Sequence, residues 1–168
     1  YLYESIKKLG LLDNTLIIVT TDHGHSIGDN NYLGKRGYPS TPEVFDIPIL
    51  LRHPDDTISR GRETDMLVQH TDITPTILDI LNIEAWEGDY YRWDDWVNVY
   101  ADIEMKPEQR KKLAMHGKSF FPALLENRKS FRDHVTAAWD TAITVITKKW
   151  WFNCKVNGKG AFLYDLEH

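Results

Sequence analysis

Hydrophobic and polar positions change rhythm several times along the chain, and each change marks an element. Leu2, Ile6 and Leu9 recur at helical spacing with Lys7 and Lys8 off that face, and Gly10 follows as a stop. This predicts a helix over 1–9. A short loop over 11–15 leads into Leu16-Ile17-Ile18-Val19, an unbroken apolar run rich in β-branched residues. Such a run predicts a strand buried on both faces, as in a parallel sheet. It continues through Thr20 and Thr21 into Asp22-His23-Gly24, where glycine lets the backbone turn sharply. Residues 25–43 lose all periodicity and hold Gly28, Gly34, Gly37, Pro39 and Pro42. That predicts a long functional loop. Ile47-Pro48-Ile49-Leu50-Leu51 predicts the next buried strand, ended by Arg52-His53-Pro54.

After a polar stretch over 55–65, helical rhythm returns at Ile73, Ile77 and Leu81. Asp72 or Thr74 serves as cap, and Pro75 stands in the first turn. The helix ends near Asn82-Ile83. Residues 84–110 show no period. There Trp86, Tyr90, Tyr91, Trp93, Trp96 and Tyr100 are interleaved with acids, as in an insertion that packs over a core or lines a pocket. Short helices are predicted over 107–113 and 120–125. In the tail Val135, Ala137 and Trp139 alternate with Thr136, Ala138 and Asp140. Further short strands are expected near 142–147, 150–156 and 161–166, with Asn157-Gly158 as a hairpin turn. Helix, loop and strand at the start read as half of a βαβ unit. The chain is therefore read as α/β, in three regions: a core portion over 1–83, a Trp-rich insertion or linker over 84–118, and a small antiparallel sheet with a helix over 119–168.

Composition narrows the function classes. The chain has 168 residues, 42% apolar and 27% charged, which suits one soluble-type domain with an appendage. A net charge of −5 speaks against a nucleic-acid surface. No apolar run reaches membrane-spanning length. The single cysteine, Cys154, rules out a disulfide within the chain. Its aromatic neighbours suit a buried inert thiol. The first residues read as the inside of a helix without an initiating Met, so the chain is expected to be a fragment of a longer protein.

The candidate chemistry sits just past the apolar run. In open α/β sheets, ligands bind at the carboxyl ends of the strands. Asp22 and His23 would stand there as part of a metal site. Asp-His-Gly alone is commonly a simple turn in which the aspartate caps backbone N–H groups. Lys35, between Gly34 and Gly37, could neutralise an anionic substrate oxygen or be a solvated loop charge. His25 could face substrate or lie on the surface. His70 and Asp72 are explained by structural hydrogen bonding. The aromatic cluster over 86–100 could stack on a sugar or aryl group, or simply pack.

Several segments in order resemble the sulfatases of the alkaline-phosphatase superfamily. YESIKKLGLLDNTLIIVTTDHG resembles their helix, strand and metal turn. HGHSIGDNNYLGK resembles the run to their substrate-binding lysine. EVFDIPILLRHP and TDITPTILDILNI resemble the strand and helix that follow, HGKSFFPALLEN the start of the C-terminal subdomain, and FLYDLEH the last strand. The resemblance implies the C-terminal portion of an alkaline-phosphatase-like α/β core and hydrolysis of sulfate esters, carried by a small molecule or a glycan. It implies one divalent cation, with Asp22 and His23 as its last two ligands. Oxygen-rich ligation suits Ca²⁺ or Mg²⁺, and His23 leaves Mn²⁺ or Zn²⁺ open. Lys35 matches the catalytic lysine that contacts the sulfate. His25 matches no position that all members require.

The resemblance has gaps. The family nucleophile, a Cys or Ser of a C/S-x-P-x-R motif converted to formylglycine, has no counterpart here, and Cys154 lacks that context. The paired aspartates that open the family fold are also missing. Both are expected in an N-terminal part that would be this chain's first partner. Without that part, exposed sheet edges would invite self-association. A phosphonate monoester or phosphate diester hydrolase of the same superfamily is the alternative, and a non-catalytic structural module the third reading.

Overall fold

Gly10 ends the first helix as the sequence predicts. The computed structural model describes residues 1–35, 37–54, 58–83, 89–90, 111–112, 116–139 and 141–167. Helix α1 (Leu2–Lys8) closes with Gly10 at φ +68°. The Gly10 N–H donates to Lys7 O at 3.0 Å and the Leu11 N–H to Ile6 O at 3.1 Å. These two bonds satisfy the last carbonyls, and glycine alone adopts that backbone without penalty. The apolar face expected to be buried is not. Leu2 and Leu9 are exposed and Ile6 is half-buried. Two turns of helix carry a stripe that the small sheet after it cannot cover.

The apolar run forms strand β1 (Ile17–Val19), which pairs with β4 (Leu50–Arg52) in the register Ile17↔Arg52 and Val19↔Leu50. The pairing is antiparallel, and Val19 and Leu50 are exposed. Both points correct the expectation of a parallel strand buried on two faces. A parallel pair needs a crossover, usually through a long helix. The stretch between these strands instead holds a hairpin and a single turn of helix. The hairpin is β2 (Ser26–Ile27) with β3 (Leu33–Gly34), bent through a 3₁₀ turn at Asp29–Asn31. The helical turn is α2 (Pro42–Phe45), with Thr41 before it and Pro42 at its start. The loop predicted over 25–43 is thus partly ordered. Arg52 Nη1 donates to Leu12 O at 2.6 Å and ties β4 to the turn at Leu12–Asn14.

The chain forms two compact units, residues 1–68 with 123–168, and residues 69–122. In the second, a 3₁₀ turn at His70–Asp72 leads into helix α3 (Ile73–Ile80). Asp72 stands at the N-cap position of α3, as expected, but its side chain makes no capping bond there; it serves instead as the reciprocal partner of Gln69, the cap of the 3₁₀ turn. The most buried face of α3 is polar rather than the expected Ile73, Ile77 and Leu81. Asp72 and Thr76 are fully buried, whereas Leu81 is exposed. The reason is a set of hydrogen bonds that burial protects. The Asp72 carboxylate accepts from Gln69 N at 2.9 Å and from Lys118 N at 2.8 Å. Thr76 Oγ1 donates to Asp72 O at 2.6 Å and accepts from Phe120 N at 3.1 Å. These bonds seat buried Phe120. Strands β5 (Asp89–Tyr90) and β6 (Lys111–Lys112) pair antiparallel, where the sequence predicted part of a helix at 107–113. The rest of the aromatic stretch lies outside the described residues.

Helix α4 (Phe121–Leu125) precedes the tail, as expected. Four strands follow, β7 (Val135–Trp139), β8 (Ala142–Ile146), β9 (Trp150–Lys155) and β10 (Phe162–Asp165). They form one antiparallel sheet in the order β10-β9-β8-β7. Asn157 and Gly158 turn β9 into β10, with Gly158 at φ +76°. Opposed residues share a face, so Trp139, Ala142, Thr144, Ile146, Trp151, Asn153, Phe162 and Tyr164 all lie on the inner side. Trp151 meets Phe45 of α2 at 5.9 Å between ring centroids, and Phe162 meets Tyr38 at 5.8 Å. Asn153 Nδ2 donates to Thr144 Oγ1 across the buried centre of the sheet.

Replacing Thr76 with Val keeps the volume and removes the buried hydroxyl that donates to Asp72 O and accepts from the Phe120 N–H. It is expected to lower stability by about 1–3 kcal/mol in chemical denaturation. The same change at the exposed Thr74 should have little effect.

Candidate functional site

The turn after β1 sets its own side chains. The Asp22 carboxylate accepts from the His23 N–H at 3.0 Å and from the Thr21 hydroxyl at 3.3 Å. His23 Nδ1 lies 2.9 Å from Gly24 O. A carbonyl only accepts, so Nδ1 carries the proton and Nε2 is the atom turned towards the site. Nε2 lies 3.2 Å from Asp22 Oδ2 and 3.0 Å from the Lys35 ammonium. Asp22, His23 and Lys35, the three residues singled out in the sequence, thus meet at one place. His25 stands aside, exposed, its ring 6.5 Å from that of His23.

Gly24 is needed here for space rather than for an unusual backbone angle. Its N–H donates to Val44 O at 2.8 Å, and a Cβ on it would run into Glu43 O. The turn is therefore pressed directly onto α2. Lys35 follows the hairpin strand β3 and reaches back across to His23.

Trp139 is the residue that the sequence reading missed. Its ring meets His23 edge-on at 5.7 Å and 77°, and Lys35 Nζ stands 5.4 Å from its ring centroid. A Cβ at Gly37 would strike Trp139 Cδ1. The strand alternation that put Trp139 on one face with Val135 and Ala137 was the available signal. It showed a face, not what the face meets.

The electrostatics follow from these contacts. Desolvation pushes the Asp22 carboxyl upward. The His23 N–H bond, the attraction of the ring in its protonated form and the Thr21 hydroxyl outweigh it, so the group titrates below its ordinary 3.8. The side chain is 81% exposed and that of His23 22% exposed, so the carboxylate can reach a ligand while the ring is held. An ionised carboxylate oxygen beside an imidazole nitrogen of fixed tautomer is a suitable donor pair for a divalent cation. The pair already draws a positive group, the Lys35 ammonium. It supplies two donors. Among the described residues no group of three or more His, Cys, Asp and Glu side chains could hold a metal ion.

A family model described as Sulfatase matches residues 2–83, the stretch that carries this turn and lysine. Over those residues, just under half of its length, the chain is similar to the sulfatases. A curated relative, the multifunctional alkaline phosphatase superfamily protein PehA of Trinickia caryophylli, is 35% identical over 83 residues, 49% of this chain and 16% of that protein. Two solved structures share the fold. BT4656, in complex with its substrate D-glucosamine-2-N,6-O-disulfate, superposes with a TM-score of 0.72 at 21% identity, over 99% of this chain and 30% of that one. The phosphonate monoester hydrolase SpPMH from Silicibacter pomeroyi gives 0.70 at 17% identity, over 99% and 31%. The chain is thus α/β with an alkaline-phosphatase-like architecture, and it spans about a third or less of the proteins it matches. No helix among its described residues is long and apolar enough to cross a membrane.

Because the folded Asp22 pKa is depressed, its stabilising contacts are complete above its unfolded pKa. They are lost as pH falls through the lower folded value. Carboxyl-carbon NMR should show Asp22 titrating below 3.8, and Asp22→Asn should remove that part of the acid dependence of stability. Gly24→Ala should displace α2 and cost about 1–3 kcal/mol in chemical denaturation.

Proposed function

We propose that this chain is the C-terminal part of a sulfate ester hydrolase and carries part of its cation site and its sulfate-binding lysine. The observation that carries this reading is that His23 Nε2 stands 3.2 Å from the Asp22 carboxylate and 3.0 Å from the Lys35 ammonium. Asp22 and His23 would hold a divalent cation, with Ca²⁺ preferred and Mg²⁺, Mn²⁺ or Zn²⁺ as other candidates. That cation supplies Lewis acidity to the ester when bound. Its remaining ligands and a formylglycine nucleophile would come from a preceding segment, because no C/S-x-P-x-R occurs in this chain.

What the chain's own residues do is electrostatic. With the His23 Nε2 lone pair given to the cation, the Lys35 ammonium turns its N–H donors outward, and these neutralise charge on the sulfuryl oxygens as the ester bond breaks. The Nδ1–H bond to Gly24 holds the His23 ring so that Nε2 stays available. His25 is left as a residue at the rim that could touch the leaving group. The substrate would be a small sulfated molecule or a sulfated sugar. The disulfated glucosamine bound by BT4656 supports the sugar.

A phosphonate monoester or phosphate diester hydrolase is the second reading, favoured by the shared fold of SpPMH. Both reactions put an anionic tetrahedral group beside a lysine and a cation. In the full-length polypeptide, Lys35→Ala should lower kcat/KM for 4-nitrophenyl sulfate by about 10²–10³. Greater turnover of a phosphate diester than of the sulfate ester would select the second reading. An unchanged rate in Lys35→Ala, or a preceding segment without the nucleophile motif, would remove the proposal.

A further inference from the structure

We infer that Trp139 is a positioning residue for Lys35, and that the inner face of the C-terminal sheet holds the lysine loop against the anion site. This deepens the reading above and rests on it. The loop is gripped at two points. At the first, Trp139 fills the space that a side chain at Gly37 would need, while its ring faces the Lys35 ammonium at 5.4 Å and meets the His23 ring at 5.7 Å. At the second, Tyr38 packs on Phe162, its hydroxyl donates to Gly160 O, and Lys155 Nζ stands 5.1 Å from its ring centroid. Lys35 lies just before both grips. Its ammonium is exposed, so the chain must limit where that long side chain points.

Trp139 does this without competing for the ammonium's hydrogens. The face of an indole attracts a cation and accepts no conventional hydrogen bond from it. One N–H of Lys35 is taken by His23 Nε2, and the ring steadies the charge while the remaining N–H groups stay free for sulfuryl oxygens. A carboxylate in the same place would bind those donors and cancel the charge. An aliphatic side chain would fill the volume and attract nothing.

The test is a double-mutant cycle on sulfate binding. Sodium sulfate is titrated into the full-length polypeptide at constant ionic strength and followed by calorimetry, for the parent and for Trp139→Leu, Trp139→Phe, Lys35→Ala and Lys35→Ala with Trp139→Leu. Leucine keeps an apolar bulk at the site, and circular dichroism confirms the fold of each variant. Trp139→Leu should weaken sulfate binding about 5-fold, and Trp139→Phe, which retains an aromatic face, by about 2-fold or less. In the Lys35→Ala background the leucine change should have no further effect. Equal binding by parent and Trp139→Leu overturns the inference, as does the same loss with Lys35 absent, or a loss in Trp139→Phe as large as in the leucine variant. Absence of saturable sulfate binding in the parent, or no effect of Lys35→Ala, removes the sulfate site itself and the inference with it.

Discussion

The hydrogen bond between His23 Nδ1 and the carbonyl of Gly24 is the constraint on which the rest of the site depends. It spends one ring nitrogen on the chain's own backbone, and so decides which nitrogen faces outward. Only then do the Asp22 carboxylate and the Lys35 ammonium find a basic nitrogen between them. The carbonyl is itself fixed, because the Gly24 N–H is held by Val44 and the absent side chain lets α2 close on the turn. A short polar sequence thereby becomes rigid through backbone contacts, with little help from a hydrophobic core. Its strand neighbours are half exposed.

The apolar packing of this unit lies elsewhere, between α2 and the inner face of the C-terminal sheet. Val44, Ala142, Ile146 and Trp151 are buried, and Phe45 meets Trp151. The turn rests on α2 and the lysine loop rests on the sheet, so both halves of the site share one support. Residues distant in sequence thus set the distance between the imidazole and the ammonium. This division of labour suits a site that must hold charged groups still while leaving them open to solvent.

Much of this was legible along the chain. Period-2 alternation and the Asn-Gly pair placed the C-terminal strands, because a half-buried hairpin sheet is specified locally by pattern and turn chemistry. Gly10 marked its helix end for the same local reason. The pairing partner of β1 was not legible. Ile17 and Ile18 announce a strand, but whether the neighbour runs parallel depends on the connection between them, here a hairpin and one helical turn. The buried face of α3 was misread because Asp72 and Thr76 look like surface residues until Gln69, Lys118 and Phe120 supply their hydrogen-bond partners. Asp22, His23 and Lys35 could be proposed from the turn and the glycines around the lysine. Trp139 could not, since its relation to them is purely tertiary.

The hydroxyl and amide at the middle of the tail sheet carry a consequence for the opposite end of the chain. Thr144 and Asn153 face each other in the interior, and sliding β8 past β9 by one place would set Asn153 against Ile143 or Val145. The same slip would turn Trp151 to the outer side and away from Phe45 of α2. Misalignment would cost the buried Asn153 N–H its bond to Thr144 Oγ1, a penalty that apolar neighbours would not impose. It works as a key in a keyway. A pair without charge or catalytic chemistry proofreads the sheet on which the lysine loop is seated.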